Sequence, residues 1–503
     1  MEIIRKYKNT TTVLFCALLI AVAMGGCNTD DLELTDPNGA NSQTFLESET
    51  QVISAVNAIY ANLQTQGLWG RHMFFMMDNL SHENSGNPQL EADKQQYLAF
   101  SFDASHGGIR AYWESCFRGI NKANYIISNE QKIRDIFGMS DEAKNKFIGE
   151  ARFLRGLYYF LLVTRFGDVP MITDVIVEDQ EGFPRTSSEQ IYEEVIIPDL
   201  EFAAENLYSN FSERHEWGRA TYEAAYALLG KVHLYREDYG PARDAFNEII
   251  GDFTLAANFG DNFLEETEHN DESIFEIEYD ESLGAGNLWD SDVTGAGQNE
   301  ATLRGQEYGW NDWFNVYPSD DLLDEFEDGD PRYTASFYFN GDSFNNGEGE
   351  VNIPLERRAA WRKYQNYYKR ANENINSSIN FRVIRYADVL LMMAEAENAL
   401  GNSDVAIDYL NEVRDRVNMP NYGTPAMDSI YPVSTPEEVF AAIVHERKVE
   451  LAGEQVRFPD LVRWGMGNTI PNFVVGKSEV YPIPLAEIAA NNNISQSDQN
   501  NGY

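Results

Sequence analysis

Basic residues are scarce in this chain. It has 38 Lys and Arg against 81 Asp and Glu, and its formal net charge is −43. Nucleic acid and anionic lipid surfaces recruit proteins through clustered Lys and Arg, and an acidic surface repels both. We therefore expect no nucleic-acid partner and no membrane contact through a basic patch.

Cysteine is almost absent as well. Of the three cysteines, Cys16 and Cys27 lie near the N-terminus and Cys116 stands alone in an apolar helical pattern, so no disulfide is expected within the body of the protein. Cys116 has no recognisable activating neighbour, which favours a small buried hydrophobe over a catalytic thiol. The seven histidines form no HExxH or comparable spacing. The sequence thus predicts no metal site and no cofactor.

Long apolar runs are missing except for one at the N-terminus. Residues 13–24 form a twelve-residue apolar stretch after a basic start at Arg5, Lys6 and Lys8. The run is too short to cross a bilayer as a helix and is typical of a secretory signal peptide.

The residues after this run indicate a lipoprotein. Gly25 and Gly26 place two small residues before Cys27, the layout that lipoprotein signal peptidase needs, although Met24 stands where leucine is usual. We expect residues 1–26 to be a signal peptide and Cys27 to carry lipid chains that anchor the protein to a membrane. Residues 27–45 are polar and acidic and predict a tether. The alternative is an ordinary secretory leader with a chance cysteine.

Helical periodicity dominates the rest of the chain. Apolar residues recur on one face at 50–64 and at 111–127. A third segment, 141–166, follows Ser140, which suits an N-cap, and stops before Gly167. Its apolar residues surround the helix, so we expect burial on several sides. The sequence predicts a mainly α protein.

Two segments repeat one another. Residues 230–249 and 394–413 align without gaps, so that Ala242 matches Ala406 and Phe246 matches Leu410. Each has a helix rich in small residues, a short turn and a second helix, which is the pattern of tetratricopeptide repeats. These helix pairs are expected to form one face of the molecule.

Two regions lack this periodicity. Residues 66–108 and 251–380 are rich in Gly, Asn and Asp, and they contain only short strand-like runs such as 274–279. Long loops in a compact domain usually carry function. We therefore expect an irregular, loop-rich lobe beside the helices.

Several segments of this chain are distinctive in sequence and in order. The first is ARFLRGLYYFLLVTRFGDVPMI at 151–172, and the others are 219–235, 272–279, 326–332, 385–401, 410–417, 445–465, 481–488 and the terminal QNNGY. In these segments and in their order, the chain resembles the SusD/RagB family of surface glycan-binding lipoproteins from Bacteroidetes-type bacteria. At the terminal QNNGY, that family more often has Pro after Gln-Asn.

The resemblance implies a fold and a function. Residues 46–503 would form one SusD-like domain that is lipid-anchored in the outer membrane and faces outward. Asp30 and Asp31 occupy the place of the family's export signal. The protein would be no enzyme. It would bind an oligosaccharide or polysaccharide and deliver it to a SusC-like TonB-dependent transporter. The RagB branch of the family suggests uptake of peptide or protein instead.

Sugar binding needs aromatic rings beside amides and carboxylates, because a sugar presents flat C–H faces ringed by hydroxyls. In the family, the ligand site is built from loops that correspond to the two irregular regions. Tryptophan on a glycine-rich loop has less core to occupy than tryptophan on a helix, such as Trp113. The candidate glycan-binding residues are Trp69, Asp78, Asn79, His82, Trp289, Tyr308, Trp310, Asn311 and Trp313.

Besides glycan binding and RagB-type uptake, a third possible function is that of an α-helical glycoside hydrolase. Paired carboxylates carry out glycoside hydrolysis, and Glu446 and Glu450 lie four residues apart on one predicted helix. They alternate with Arg447 and Lys448, however, which favours buried Arg–carboxylate pairs between helices. The basic and aromatic run at 361–370 is likewise interpreted as support for the core.

Overall fold

The computed structural model describes residues 45–176, 182–213, 215–282, 300–373 and 377–503. Helices predominate in these ranges, as the sequence predicted. In chain order, α1 to α18 are Glu49–Ala61, His72–Leu80, Ala92–Ala99, Gly107–Ser128, Glu130–Arg134, Asp141–Phe166, Ser188–Ile191, Ile197–Asn206, Tyr222–Tyr235, Tyr239–Asn247, Arg304–Tyr308, Asp320–Leu323, Pro331–Ser336, Tyr386–Ala399, Ser403–Arg416, Pro436–Glu450, Arg457–Arg463 and Leu485–Ala490.

The strands are short and pair only two by two in the described ranges. In chain order, β1 to β10 are Asn84–Gly86, Val169–Pro170, Arg185–Thr186, Ser273–Ile277, Val316–Pro318, Phe337–Tyr338, Ser343–Phe344, Gly349–Glu350, Ala360–Trp361 and Phe381–Arg385. The antiparallel pairs are β1 with β5, β2 with β3, β4 with β10, β6 with β9 and β7 with β8.

Helices pack side by side in a continuous series. Helix α1 contacts α4, α4 contacts α6, α6 contacts α8, and the series continues through α9, α10, α14 and α15. The two repeated segments are the hairpins α9–α10 and α14–α15, so the tetratricopeptide-like pairing is confirmed. Small residues allow this close packing, because a Cβ at Gly230 would lie 2.3 Å from the ring of Phe246. Ala242 and Ala406 are fully buried at equivalent places.

Helix α6 is the central helix of this series. The Ser140 hydroxyl accepts a hydrogen bond from the backbone N–H of Ala143 and caps the helix, and Gly167 ends it with a φ of +68°. Its side chains are buried on all sides between α4 and α8. The predicted bounds and the predicted burial are both confirmed.

The first irregular region departs from the prediction. Residues 66–108 contain α2 and α3, and α2 is buried along almost its whole length. Its sequence, HMFFMMDNL, is apolar nearly all round, so it shows no one-sided helical pattern. The prediction of a loop here is wrong for that reason.

The described parts of the second region, 251–282, 300–373 and 377–380, contain short strands, as expected, together with short helices that were not predicted. The predicted strand at 274–279 is β4, which pairs with β10. Part of this lobe has a small apolar cluster of its own, with Phe314, Tyr338, Val351, Ile353, Ala360 and Tyr367 at its centre and Trp310, Tyr317 and Phe344 at its edge. The large core runs from Leu46 to Ile483.

A buried ion network joins this lobe to the helices. The Glu450 carboxylate accepts hydrogen bonds from Arg385 at 2.6 Å, from Arg416 at 2.6 Å and from Arg332 at 3.1 Å. Glu446 accepts from Arg332 and, at 3.0 Å, from Arg414. Because the guanidinium groups surround it, the pKa of Glu450 lies well below its usual value despite burial. The structural interpretation of these acids is confirmed.

Two further expectations concern single elements. Cys116 is fully buried in α4, and burial raises the pKa of its thiol well above the usual value, so it is a core residue. Trp361, Lys363, Tyr364 and Tyr367 are buried within the lobe, which agrees with a supporting role for 361–370. Within the described ranges, no helix combines the length and the apolar character that crossing a membrane requires.

Candidate functional site

Four of the candidate glycan-binding residues lie in the interior. Trp69 is 3% exposed, and Asp78, Asn79 and Tyr308 are fully buried. The Tyr308 hydroxyl donates a hydrogen bond to Asp78 at 2.8 Å, and the Asn84 side chain donates to Asn79 at 2.9 Å. These residues hold α2 against the lobe, and the prediction that they face a ligand is corrected.

Trp69 illustrates the reason. The Thr302 hydroxyl donates to its carbonyl oxygen at 3.1 Å, and its ring packs against Phe381. The cavity beside it measures about 60 Å³, far below the volume of a typical ligand pocket. The segment that carries Trp69 is buried under residues of the lobe that are distant in sequence, such as Thr302 and Phe381.

His82 is half-buried and lies apart from the tryptophans. Its Nε2 is 2.9 Å from the carbonyl oxygen of Leu98, and its ring stacks on Phe100. It lines a groove of about 350 Å³ together with Arg457 and Met466. Two other candidates, Trp289 and the lipidation residue Cys27, lie outside the described residues, as do the signal peptide and nearly all of the tether.

Trp310, Asn311 and Trp313 do lie together, at the surface. They belong to a tight turn that we call the tryptophan turn, residues 309–314. Backbone N–H groups of Asp312 and Phe314 donate to the carbonyl of Gly309 at 3.1 and 3.0 Å, and that of Trp313 donates to Gln306 at 3.1 Å. Trp313 is 38% exposed, a high value for so large an apolar ring.

Asp312 fixes the turn. Its carboxylate accepts hydrogen bonds from the Tyr367 hydroxyl at 2.5 Å, from the backbone N–H of Glu373 at 2.7 Å and from the Gln306 side chain at 3.2 Å. The same Tyr367 hydroxyl accepts from the backbone N–H of Asn311 at 3.1 Å. The turn is therefore held from three directions and presents its rings in one arrangement.

Trp310 and Trp313 have different roles in this turn. The Trp310 ring contacts Phe344 edge-on at 5.1 Å and Tyr367 at 5.6 Å, so it belongs partly to the small apolar cluster. The Trp313 ring is the more exposed of the two. Beside it, the exposed Gln89 side chain donates to the carbonyls of Trp313 and Phe314 at 3.0 and 2.8 Å.

Sequence patterns did not reveal the residues that β1 and β5 bring to this surface. Their pairing sets Gly86 opposite Val316, which places the loop with Gln89 beside the turn. Tyr317 is half-buried, and the Arg357 guanidinium lies 4.5 Å from its ring centre. The β1–β5 pairing and the Gln89 hydrogen bonds join residues that are more than 200 positions apart, so no local motif could reveal them. Apolar rings beside amides are suited to stacking on the C–H face of a sugar.

The paired helices with their loop-rich lobe define a SusD-type fold. A model of the SusD family matches residues 271–479, and a second model, described as starch-binding and associating with the outer membrane, matches residues 32–234. The chain belongs to the SusD/RagB family.

Individual relatives agree over nearly the whole length. SusD-like protein P2 of Formosa agariphila is 28% identical over 536 residues, covering 99% of this chain and 100% of the relative. A solved SusD superfamily protein from Bacteroides vulgatus is 26% identical with a TM-score of 0.76, covering 92% of this chain and 100% of that one. A solved laminarin-binding SusD-like protein is 26% identical with a TM-score of 0.74, covering 91% and 100%.

Proposed function

We propose that this protein is a lipid-anchored protein of the outer-membrane surface that binds a glycan at the tryptophan turn and delivers it to a SusC-like TonB-dependent transporter. The observation that carries the proposal is the exposed Trp313 ring on a turn fixed by Asp312. Membership of a family whose model is described as starch-binding supports the ligand class.

The rigidity of the turn matters for affinity. A binding loop that must become ordered loses conformational freedom on association, and that loss weakens binding. Here the hydrogen bonds of Asp312 and the small apolar cluster order the turn before any ligand arrives. A sugar ring can then cover the Trp313 face at little entropic cost, while neighbouring amide and carbonyl groups bond its hydroxyls.

The proposed role is capture without hydrolysis. Glu446 and Glu450 are the two acids that the hydrolase alternative would use for catalysis. Both are fully buried and form ion pairs with arginines. A glycosidase instead needs one carboxyl group with a raised pKa beside the scissile bond. The pKa of each of these two glutamates is lowered, which supports a structural role.

Anchoring and transport rest on the sequence and the family. The family description of outer-membrane association supports the location. The signal peptide ending before Cys27 supports a lipid anchor, and multiple acyl chains would hold the protein at a membrane firmly. A transporter partner follows from the family resemblance alone.

Affinity electrophoresis with the lipid-free protein tests the ligand class. Gels containing starch, laminarin or other neutral polysaccharides should retard the wild-type protein in at least one case, and Trp313→Ala should weaken that retardation. Retardation that is unchanged in Trp313→Ala would place the site elsewhere. Tight binding of peptides with no glycan retardation would favour the RagB-type alternative.

A further inference from the structure

His269, Glu276 and Glu278 converge at the edge of the β4–β10 pair. Glu276 lies on β4, Glu278 follows the strand directly, and His269 lies in the turn before it. One possible metal-ligand atom from each residue, a ring nitrogen or a carboxylate oxygen, lies within 4.8 Å of the other two. The Nε2 of His269 is 3.2 Å from a Glu278 oxygen, and its Nδ1 is 3.8 Å from a Glu276 oxygen. The three residues belong neither to the paired helices nor to the tryptophan turn, so neither of these features explains why they lie together.

The two carboxylates are held side by side. The Asn380 side-chain N–H group donates to Oε2 of Glu276 and to Oε2 of Glu278, at 3.0 Å in each case. Arg382, opposite Glu276 on β10, lies 3.2 Å from that carboxylate. Two anionic groups at this separation repel each other, and a bound cation would remove the repulsion.

The cluster is closed on one side and open on the other. Glu276 is 3% exposed, whereas the Glu278 side chain is 40% exposed, so an ion can enter past Glu278. Oε2 of Glu278 faces His269 and Asn380, whereas its Oε1 is buried near Gly218 and has no hydrogen-bond partner among the described residues. Gly218 packs against the same side chain, since a Cβ there would lie 2.4 Å from Glu278 Cγ.

The histidine ring is also held in place. Trp217 stacks on it with ring centres 4.7 Å apart and an interplanar angle of 27°. Trp217 is itself 60% exposed and contacts His215 edge-on at 5.1 Å. Metal-binding histidines are typically held in one orientation by neighbouring groups, and the stacked Trp217 ring is such a neighbour here.

We propose that His269, Glu276 and Glu278 form a binding site for a divalent transition-metal ion, with Zn²⁺ as the best fit. One imidazole nitrogen and carboxylate oxygens are ligands that Zn²⁺ accepts, and Ca²⁺ prefers oxygen ligands alone. The sequence predicted no metal because the three residues match no known spacing. The fold brings them together through the turn before β4.

Calorimetric titration of ZnCl₂ into the purified, chelator-treated and tag-free protein tests the site. We expect one saturable site in the wild type, and at least a tenfold loss of affinity in His269→Ala and in Glu278→Gln. Glu278 lies on the open side and His269 in the turn before β4, outside the large core, so the variants should keep the wild-type circular dichroism spectrum. His233→Ala is the matched control, because His233 faces one carboxylate, Asp238 at 3.8 Å, as a pair rather than a triad. Its Zn²⁺ affinity should not change.

Trp217 supplies a second, local readout. Cu²⁺ quenches the fluorescence of a nearby indole, so titration with Cu²⁺ should quench the emission of Trp217 in the wild type. This quenching should be lost in Trp217→Phe, which lacks the indole, and in His269→Ala, which lacks the metal ligand. Saturable Zn²⁺ binding that survives in both His269→Ala and Glu278→Gln would overturn the proposal. So would the absence of saturable binding below millimolar Zn²⁺, or tighter binding of Ca²⁺ than of Zn²⁺.

Discussion

The hydroxyl group of Tyr367 donates a hydrogen bond to the carboxylate of Asp312 at 2.5 Å. Tyr367 is fully buried in the small apolar cluster, whereas Asp312 lies in the tryptophan turn at the surface. This bond therefore ties the exposed tryptophan turn to a buried, ordered cluster. It explains why an exposed turn of six residues can present tryptophan rings in a fixed arrangement.

Removing that hydroxyl should weaken glycan binding. In Tyr367→Phe, the Asp312 carboxylate and the Asn311 N–H lose a partner while the ring keeps its packing. We expect the glycan Kd to rise severalfold and stability to fall by about 1–3 kcal/mol, as for other bonds to charged groups. Titration calorimetry and urea unfolding measure the two effects.

The neighbouring residue provides the control for this change. Tyr368 also donates its hydroxyl to a carboxylate, but its partner is Glu266, away from the turn. Tyr368→Phe should leave the glycan Kd unchanged. Equal losses of affinity in both variants would mean that Tyr367 acts through general stability and not through the turn.

Trp313 and Trp113 should respond in opposite ways to truncation. Trp313→Ala removes an exposed ring and should cost about 1–3 kcal/mol of binding, by analogy with base stacking on aromatics, with almost no change in Tm. Trp113 is 2% exposed and packs on Phe117 and Phe166, so Trp113→Ala should cost about 3–5 kcal/mol of stability. If Trp313→Ala lowers Tm and leaves glycan binding intact, the ring is structural.

Local patterns predicted much of the fold but only part of the site. The helix of 141–166 and the two helix pairs were predictable, because capping residues and 3.6-residue periodicity are local. Burial of Trp69 and Tyr308 was not, since it depends on contacts with residues more than 200 positions away, such as the Thr302–Trp69 bond. Composition alone shows that a loop is rich in glycine, and it does not show what covers the loop.

The predicted lipid anchor depends on the sulfur atom of Cys27, to which the lipid would be attached. We expect Cys27→Ala to give unlipidated protein that no longer fractionates with the outer membrane, because the acyl chains provide the attachment. Metabolic labelling with a fatty acid and membrane fractionation at high salt measure this. Labelled, membrane-bound Cys27→Ala protein in cells that lack the transporter would contradict the anchor.

The hydrolase alternative can be tested by measuring hydrolysis and by replacing Glu450. We expect no release of reducing ends above background from any polysaccharide that the protein binds, even after prolonged incubation. Glu450→Gln should instead reduce stability by about 3–5 kcal/mol. It removes a buried anion that Arg385 and Arg416 share and leaves Glu272 and Glu454 to balance their charge, so the buried network gains net positive charge. Hydrolysis by the wild type that disappears in a folded Glu450→Gln protein would restore the enzymatic alternative.

Glu83 should make stability fall as pH rises. It is 2% exposed, and burial, reinforced by the nearby Asp78 carboxylate, raises its pKa from 4.5 to about 8. The folded protein thus keeps a proton that the unfolded chain releases above about pH 4.5. By linkage, this group costs stability progressively between about pH 4.5 and 8, with a slope of up to about 1.4 kcal/mol per pH unit.

Glu83→Gln keeps the shape of the side chain and removes this titration. The variant should match the wild type at pH 4.5 and be more stable at pH 8.5, where the wild type must bury a carboxylate in the folded state. Glu356→Gln is the control, because Glu356 is exposed and its substitution should leave the pH profile unchanged. Urea unfolding across this pH range measures the difference. A Glu83→Gln protein that is less stable than the wild type at pH 8.5 would show that the carboxylate is ionised and paired in the folded state.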